Sequence, residues 1–326
     1  MVIRQFNKDQ VIFREKEQGN SFYQMKSGSV GIFLNYGEED EKKLTELTEG
    51  QFFGEMAVIE AYPRSATAVA LSDDTKAEEI TLREVEDYFR SEPDQIIAIM
   101  KHLGSRVREL TDDYTKVSET IKELYLVKKE ERSKSLIERI RNYADNYRAH
   151  KNFTEIPSVE TLRKIDPVSH SEGYYKDVES FSKGTVIFKE GETGNCMYDI
   201  HSGNVGIYKN YGTPEEELLT KLSMNNFFGE MGMVDNDKRS ATAIVLTDDT
   251  NLETIAPEDL AELFEKNPPK VSMILAHISY RLRKLTNEYM NACKLVYEYA
   301  SEEEKNGSVS EELKDKTDNY QARYYD

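Results

Sequence analysis

FFGEMAVIEAYPRSATA at residues 52–68 returns as FFGEMGMVDNDKRSATA at residues 227–243. Both stretches carry FFGEM and, after a variable middle, RSATA at the same spacing. Extending outward at this offset of 175 residues, 47 of the 109 positions from Phe6 to Tyr114 match those from Phe181 to Tyr289 without a gap. Periods of about 20–50 residues mark solenoids and propellers, whereas this one is the size of a domain. The chain therefore holds two copies of one domain.

Each copy opens with short apolar runs, VIF, VGIF and ATAVAL in the first. Gly19, Gly28, Gly31 and Gly37 punctuate them, as Gly194, Gly203, Gly206 and Gly212 do in the second. Short strands between glycine turns predict a β-barrel or sandwich. Each copy then becomes helical. Ile96, Met100, Leu103, Val107, Leu110, Tyr114, Val117, Ile121 and Leu124 recur at alternating spacings of four and three, as do Val271, Leu275, Ile278, Leu282, Leu285, Tyr289, Ala292, Val296 and Tyr299. That rhythm is a coiled-coil seam. The first turns of the stripe would serve equally to pack the helix on its own barrel. Its full length, roughly 42 Å at 1.5 Å per residue, exceeds strands of roughly 17–20 Å, so the distal half is expected to pair with another helix.

Of the 326 residues, 32% are charged, and no run approaches the apolar length of a spanning helix. The first residues, MVIRQFNKDQVIF, carry charges where a signal peptide would be apolar. A cytoplasmic protein without membrane contact is expected. Cys196 and Cys293 stand far apart with no CxxC spacing, which indicates neither a disulfide framework nor a metal site. A formal charge of −18 repels polyanions over most of the surface, so nucleic acid is an unfavourable partner. Any small anionic ligand must then be held by a local set of donors.

The repeated stretch supplies such a set. Gly54 followed by Glu55 can open a short helix whose free N–H groups favour an anion. Arg64, ten residues after the glycine, has a planar fork suited to two phosphate oxygens. Ser65 adds a hydroxyl, and the small Ala66 lets main-chain N–H groups approach. Glu55 only accepts hydrogen bonds, for which a ribose hydroxyl is a natural donor. A plainer reading has Glu55 and Arg64, like Glu230 and Arg239, pairing with each other to pin a loop. Neither a nucleophile with an adjacent base nor a metal cluster accompanies the cassette, so no enzyme is expected.

The pattern F-G-E-x-[AG] followed by R-[STA]-A, with the upstream FxEGExGN-like and SGxVGI motifs, resembles the phosphate-binding cassette of the cyclic-nucleotide-binding domain. That domain occurs in the bacterial catabolite activator (Crp/Fnr) family and in regulatory subunits of cAMP-dependent protein kinase. The resemblance implies a β-rich α+β fold of two jelly-roll β-barrels (double-stranded β-helices), each followed by a long coiled-coil-like α-helix. It implies Glu55 and Glu230 on the ribose 2′-hydroxyl and Arg64 and Arg239 on the cyclic phosphate. Ser65, Ala66, Ser240 and Ala241, with the backbone of Gly54 and Gly229, would complete the phosphate shell. Thr111 and Thr286 resemble the threonine that contacts adenine in the bacterial activator, with Asp112 and Asn287 beside them. Met56 and Ala57 follow Glu55, whereas Met231 and Gly232 follow Glu230, and Pro63 stands where the second copy has Lys238. The sites are thus expected to be non-equivalent, with cAMP as ligand, cGMP possible, and no cofactor.

The expected divisions are a first nucleotide domain with its helix at 1–129, a helical connector and linker at 130–173, a second such domain at 174–300, and a polar, disordered tail at 301–326. The expected function is a sensor that signals to an unidentified protein partner through its long helices, paired as a fused pseudo-dimer or a homodimer. The alternative is a Crp/Fnr-like transcription regulator lacking a complete helix-turn-helix, since IPSVETLRKI in the connector only faintly resembles a recognition helix.

Overall fold

The computed structural model describes residues 1–39, 41–56, 63–150, 177–235 and 238–325. In the first repeat eight strands form two four-stranded antiparallel sheets. One sheet orders β1 (Val2–Phe6), β8 (Thr75–Thr81), β3 (Ser21–Ser27) and β6 (Phe52–Phe53) side by side. The other orders β2 (Val11–Phe13), β7 (Thr67–Ala70), β4 (Val30–Leu34) and β5 (Lys42–Leu47). The second repeat reproduces both orders with β9 (Val178–Phe181), β16 (Thr250–Ile255), β11 (Met197–Ser202) and β14 (Phe227–Phe228), and with β10 (Val186–Phe188), β15 (Thr242–Val245), β12 (Asn204–Lys209) and β13 (Glu217–Ser223). Small and β-branched residues let the sheets approach: Ala68, Ala70, Ala77 and Val30 are buried in one core with Phe13, Met25 and Phe53.

Seven helices accompany these strands among the described residues: α1 (Val85–Ser91), α2 (Asp94–Leu126), α3 (Lys134–His150), α4 (Glu230–Asp235), α5 (Leu260–Lys266), α6 (Pro268–Asn306) and α7 (Glu311–Tyr325). Pro268 opens α6, where its missing N–H costs nothing, and Gly307, at φ 72°, ends it.

The chain divides into two compact units that do not follow the repeat. One comprises the first repeat's strands, the distal part of α2 from Arg106, α3, and α6 from Tyr280 onward with α7. Its helices share a buried apolar cluster: Val117, Ile121 and Leu124 of α2, Leu136 and Ile140 of α3, Ala292, Val296 and Tyr299 of α6, and Leu313 of α7. The distal stripes of both long helices thus meet within a single chain. Arg132 fastens the same region, donating to both carboxylate oxygens of Glu303 at 2.5 and 2.9 Å and to the carbonyls of Leu124 and Val127. The pair is almost wholly buried, the two side chains being 6% and 13% exposed.

The other unit comprises the second repeat's strands with α1, α5 and the proximal turns of α2 and α6. Here Phe89 of α1 meets Phe264 of α5 edge to face. In the first turn of α6, buried Lys270 inserts its ammonium between Asp199 of β11 and Glu253 of β16, and His201 Nε2 lies 2.7 Å from Glu253. The lysine supplies the cation this acidic pair requires once removed from water.

The tail corrects an expectation. Residues 301–306 continue α6, and 311–325 form α7 rather than a disordered end. Leu313 and Thr317 lie one turn apart and are buried, and Tyr320 OH meets Ser118 Oγ at 2.6 Å. A single apolar face within a highly polar segment suffices to hold it. The linker residues Pro157, Pro167 and Gly173, and the segment IPSVETLRKI, lie outside the described residues.

Candidate nucleotide sites

In both repeats the cassette starts where a two-residue strand, β6 or β14, runs out into a glycine. Gly54 and Gly229 both adopt φ 78°, a conformation that side chains with a Cβ resist. The turn reverses the chain and begins a helical segment at once, at Glu55 and at Glu230. Both glutamates are 2% exposed.

Arg64 and Arg239 return to this turn from the start of β7 and β15, and each is only 5% exposed. Arg64 donates from Nη1 to the Gly54 carbonyl at 2.7 Å and from Nη2 to the Ser21 carbonyl at 2.6 Å. Arg239 repeats both bonds, to Gly229 at 2.6 Å and to Cys196 at 2.8 Å. An aromatic face backs each guanidinium, Phe13 at 4.1 Å and Phe188 at 4.2 Å. Neither arginine spends these bonds on the neighbouring glutamate; each instead ties the cassette turn through main-chain carbonyls. In both, Nε is buried and has no hydrogen-bond partner.

An orphaned buried donor on a cation is expensive, and it marks a place where an acceptor is missing. Burial lowers the pKa of Arg64, against the opposing pull of Tyr23, Glu55, Glu17 and Glu79. Arginine nevertheless stays cationic in proteins. The arrangement is a buried positive fork held rigid by two carbonyls, beside a buried carboxylate. An anion with an adjacent hydroxyl donor satisfies both groups.

The other expected residues are placed less uniformly. Ala66 and Ala241 are buried directly after the exposed Ser65 and Ser240. Met56 is buried, Met231 is half-buried, and Ala57 lies outside the described residues. Gly232 is buried against the guanidinium, since a Cβ there would stand 2.6 Å from Arg239 Nη1. Thr111 and Thr286 donate to carbonyls of their own helices, Val107 at 2.7 Å and Leu282 at 2.8 Å. Thr111 and Asp112 are exposed on α2, within the unit that holds the first cassette. Thr286 and Asn287 belong to that unit too, whereas Arg239 belongs to the other.

Two features went unread in the sequence. Phe13 and Phe188 form the floors of the guanidinium pockets, and their identity between repeats was the available signal. Arg106, on α2, reaches Glu55, its Nη1 lying 3.7 Å from Oε1. It too has an identical counterpart, Arg281, but nothing in a helical stripe shows which way an exposed arginine turns.

Comparison with known proteins places the chain in a family. A cAMP-dependent protein kinase regulatory subunit from Blastocladiella emersonii is 23% identical over 235 residues, covering 72% of this chain and 45% of that protein. One from Candida albicans is 26% identical over 247 residues, covering 74% and 40%. The chain therefore spans less than half the length of these relatives. Among solved structures, the Thermus thermophilus catabolite activator protein matches 34% of this chain and 52% of its own, at 29% identity and a TM-score of 0.31. Residues 3–92 and 178–267 each match the cyclic nucleotide-binding domain, over half of the chain in total. The chain belongs to the cyclic nucleotide-binding domain family and carries two such domains in tandem.

Proposed function

We propose that the protein is a cAMP-responsive regulatory protein whose two cassettes each take the cyclic phosphate on a buried arginine, Arg64 or Arg239, and the ribose hydroxyl on Glu55 or Glu230. The orphaned Nε of each arginine carries this reading. In it, Ser65, Ala66, Ser240 and Ala241 line the phosphate, and Thr111 and Asp112 face the base of the first site. Each pair of sheets closes as a jelly roll. The long helices form a coiled-coil-like pair within one chain, so the molecule is a fused pseudo-dimer that passes the occupancy of its sites to a protein partner. The curated relatives are named as kinase regulatory subunits, which favours a protein kinase as that partner and a regulatory, non-catalytic role in the cytoplasm.

Calorimetry with cAMP and with cGMP tests the ligand. Wild-type protein should show two unequal binding events with cAMP. The Arg64→Ala, Arg239→Ala double variant should show none while keeping its circular dichroism. Unchanged affinity in that variant would overturn the reading.

A further inference from the structure

The two sites differ at one atom beside the phosphate arginine. In the first repeat Ser21 lends its carbonyl to Arg64, and its hydroxyl lies 3.4 Å from Tyr23 OH. In the second, Cys196 lends its carbonyl to Arg239 and places its sulfur 3.4 Å from Tyr198 OH. The sulfur also lies 3.7 Å from Arg239 Nη2. A thiol thus replaces an oxidation-inert hydroxyl at matching geometry, against a guanidinium that is 5% exposed and whose Nε has no partner. Cys196 is partly exposed, whereas the chain's other cysteine, Cys293, is buried.

We propose that Cys196 is an oxidation switch for the second nucleotide site: hydroperoxide converts it to a sulfinate that occupies Arg239 and shuts out the cyclic phosphate, while Ser21 exempts the first site. The inference rests on the reading of Arg239 as the phosphate ligand. The sulfur lone pair attacks one oxygen of hydrogen peroxide, an S–O bond forms and the O–O bond breaks. The departing hydroxide takes the thiol proton and leaves as water, giving the sulfenic acid. A second peroxide repeats the transfer and gives the sulfinic acid. Each step oxidises sulfur by two electrons and reduces one peroxide. Cys293, being buried, offers no resolving thiol to divert the sulfenic acid into a disulfide, so the ladder runs on. The Arg239 cation stabilises the negative charge on the departing hydroxide and on the sulfinate product. The ionised sulfinate then forms a charge-assisted bond with Arg239 Nη2, the guanidinium nitrogen its sulfur already faces.

The test uses the full-length Arg64→Ala protein, in which the second site alone is read. cAMP affinity is measured by calorimetry before and after hydrogen peroxide, and peptide mass spectrometry follows Cys196. The expected result is binding before oxidation and a loss of about tenfold to a hundredfold once Cys196 is the sulfinate. Adding Cys196→Ser should abolish the loss. Ser21→Cys in an Arg239→Ala background should create the same sensitivity at the first site. Unchanged affinity with Cys196 fully oxidised overturns the proposal, as does an equal loss in the Cys196→Ser protein. A Cys196 that stays reduced under peroxide that oxidises free glutathione overturns it too. Absence of binding before any peroxide is added overturns the reading of Arg239, and the inference with it, and is recognised by its timing.

Discussion

Arg106 Nη1 stands 3.7 Å from Glu55 Oε1 and 3.8 Å from the Met56 sulfur, joining the long helix of the first repeat to the turn that opens its cassette. Glu55 is 2% exposed and Arg106 45%. The contact therefore works on the buried carboxylate while its own charge is half in water, which limits its strength to about 1 kcal/mol or less. It gives the first site a direct mechanical tie to the helix.

Replacing Arg106 by alanine should accordingly weaken cAMP binding at the first site by a few-fold, roughly the effect of 1 kcal/mol, and leave the second site unchanged. Titrating Arg106→Ala in the Arg239→Ala background by calorimetry isolates the first site. A loss above about a hundredfold would mean that Arg106 touches the ligand itself.

Gly232→Ala should damage the second site selectively. The added methyl would stand 2.6 Å from Arg239 Nη1 and 3.0 Å from the Gly194 carbonyl, so the guanidinium must shift within its seat. Overpacking of this kind costs about 1–3 kcal/mol. cAMP affinity at the second site, read in the Arg64→Ala protein, should fall correspondingly. Preserved affinity would show that the arginine can shift and still serve.

Breaking the Arg132–Glu303 bridge should destabilise the helical cluster far more than a surface pair would. Both side chains are withdrawn from water, and Arg132 also caps α2 by donating to Leu124 and Val127. Arg132→Ala leaves an unpaired buried carboxylate, a change of about 3–5 kcal/mol. Urea denaturation followed by helical circular dichroism should show an earlier transition. A shift of under about 1 kcal/mol would place the pair among those that contribute little.

The two cysteines should differ in reactivity. Burial beside Tyr289 pushes the Cys293 thiol up to about 12, so the native protein should alkylate once near pH 8, at Cys196, and at Cys293 only on unfolding. The unfolded thiol ionises near its ordinary 9.0 while the folded one holds its proton up to about 12. Between those values the folded state binds more protons. Stability should therefore fall as pH rises through this window, by up to about 1.4 kcal/mol per pH unit from this group. Alkylation kinetics and denaturation at pH 8 and pH 10.5 measure both effects. Equal labelling of the two thiols in native protein would refute the first.

Much of this architecture is legible in the sequence because it rests on local spacing. Gly54 and Arg64 are ten residues apart in one short excursion, so a repeated glycine and arginine announce a shared pocket. The stripe from Ile96 to Leu124 has a single period, and its residues are buried apart from the half-buried Leu110 and Tyr114. What escapes the eye depends on distant partners. Thr317 of α7 is polar yet fully buried, because its hydroxyl returns to the Leu313 carbonyl and leaves an apolar flank. Lys270 looks like a surface lysine until Asp199 and Glu253 are brought together by β11 and β16. Arg132 sits in a run of charges whose composition gives no hint that its guanidinium closes two helices.

Helix α6 begins against one compact unit and ends inside the other, and α2 does the same. The gene's repeat and the molecule's units are therefore out of register. Severed in the linker between the repeats, each half would keep its sheet core but neither would retain the complete helical core, because Val117, Ile121 and Leu124 lie on one side of the cut and Ala292, Val296 and Tyr299 on the other. The halves should instead behave as complementary fragments that regain order when mixed. Their covalent joining has exchanged a concentration-dependent assembly for one whose effective molarity is fixed by the tether.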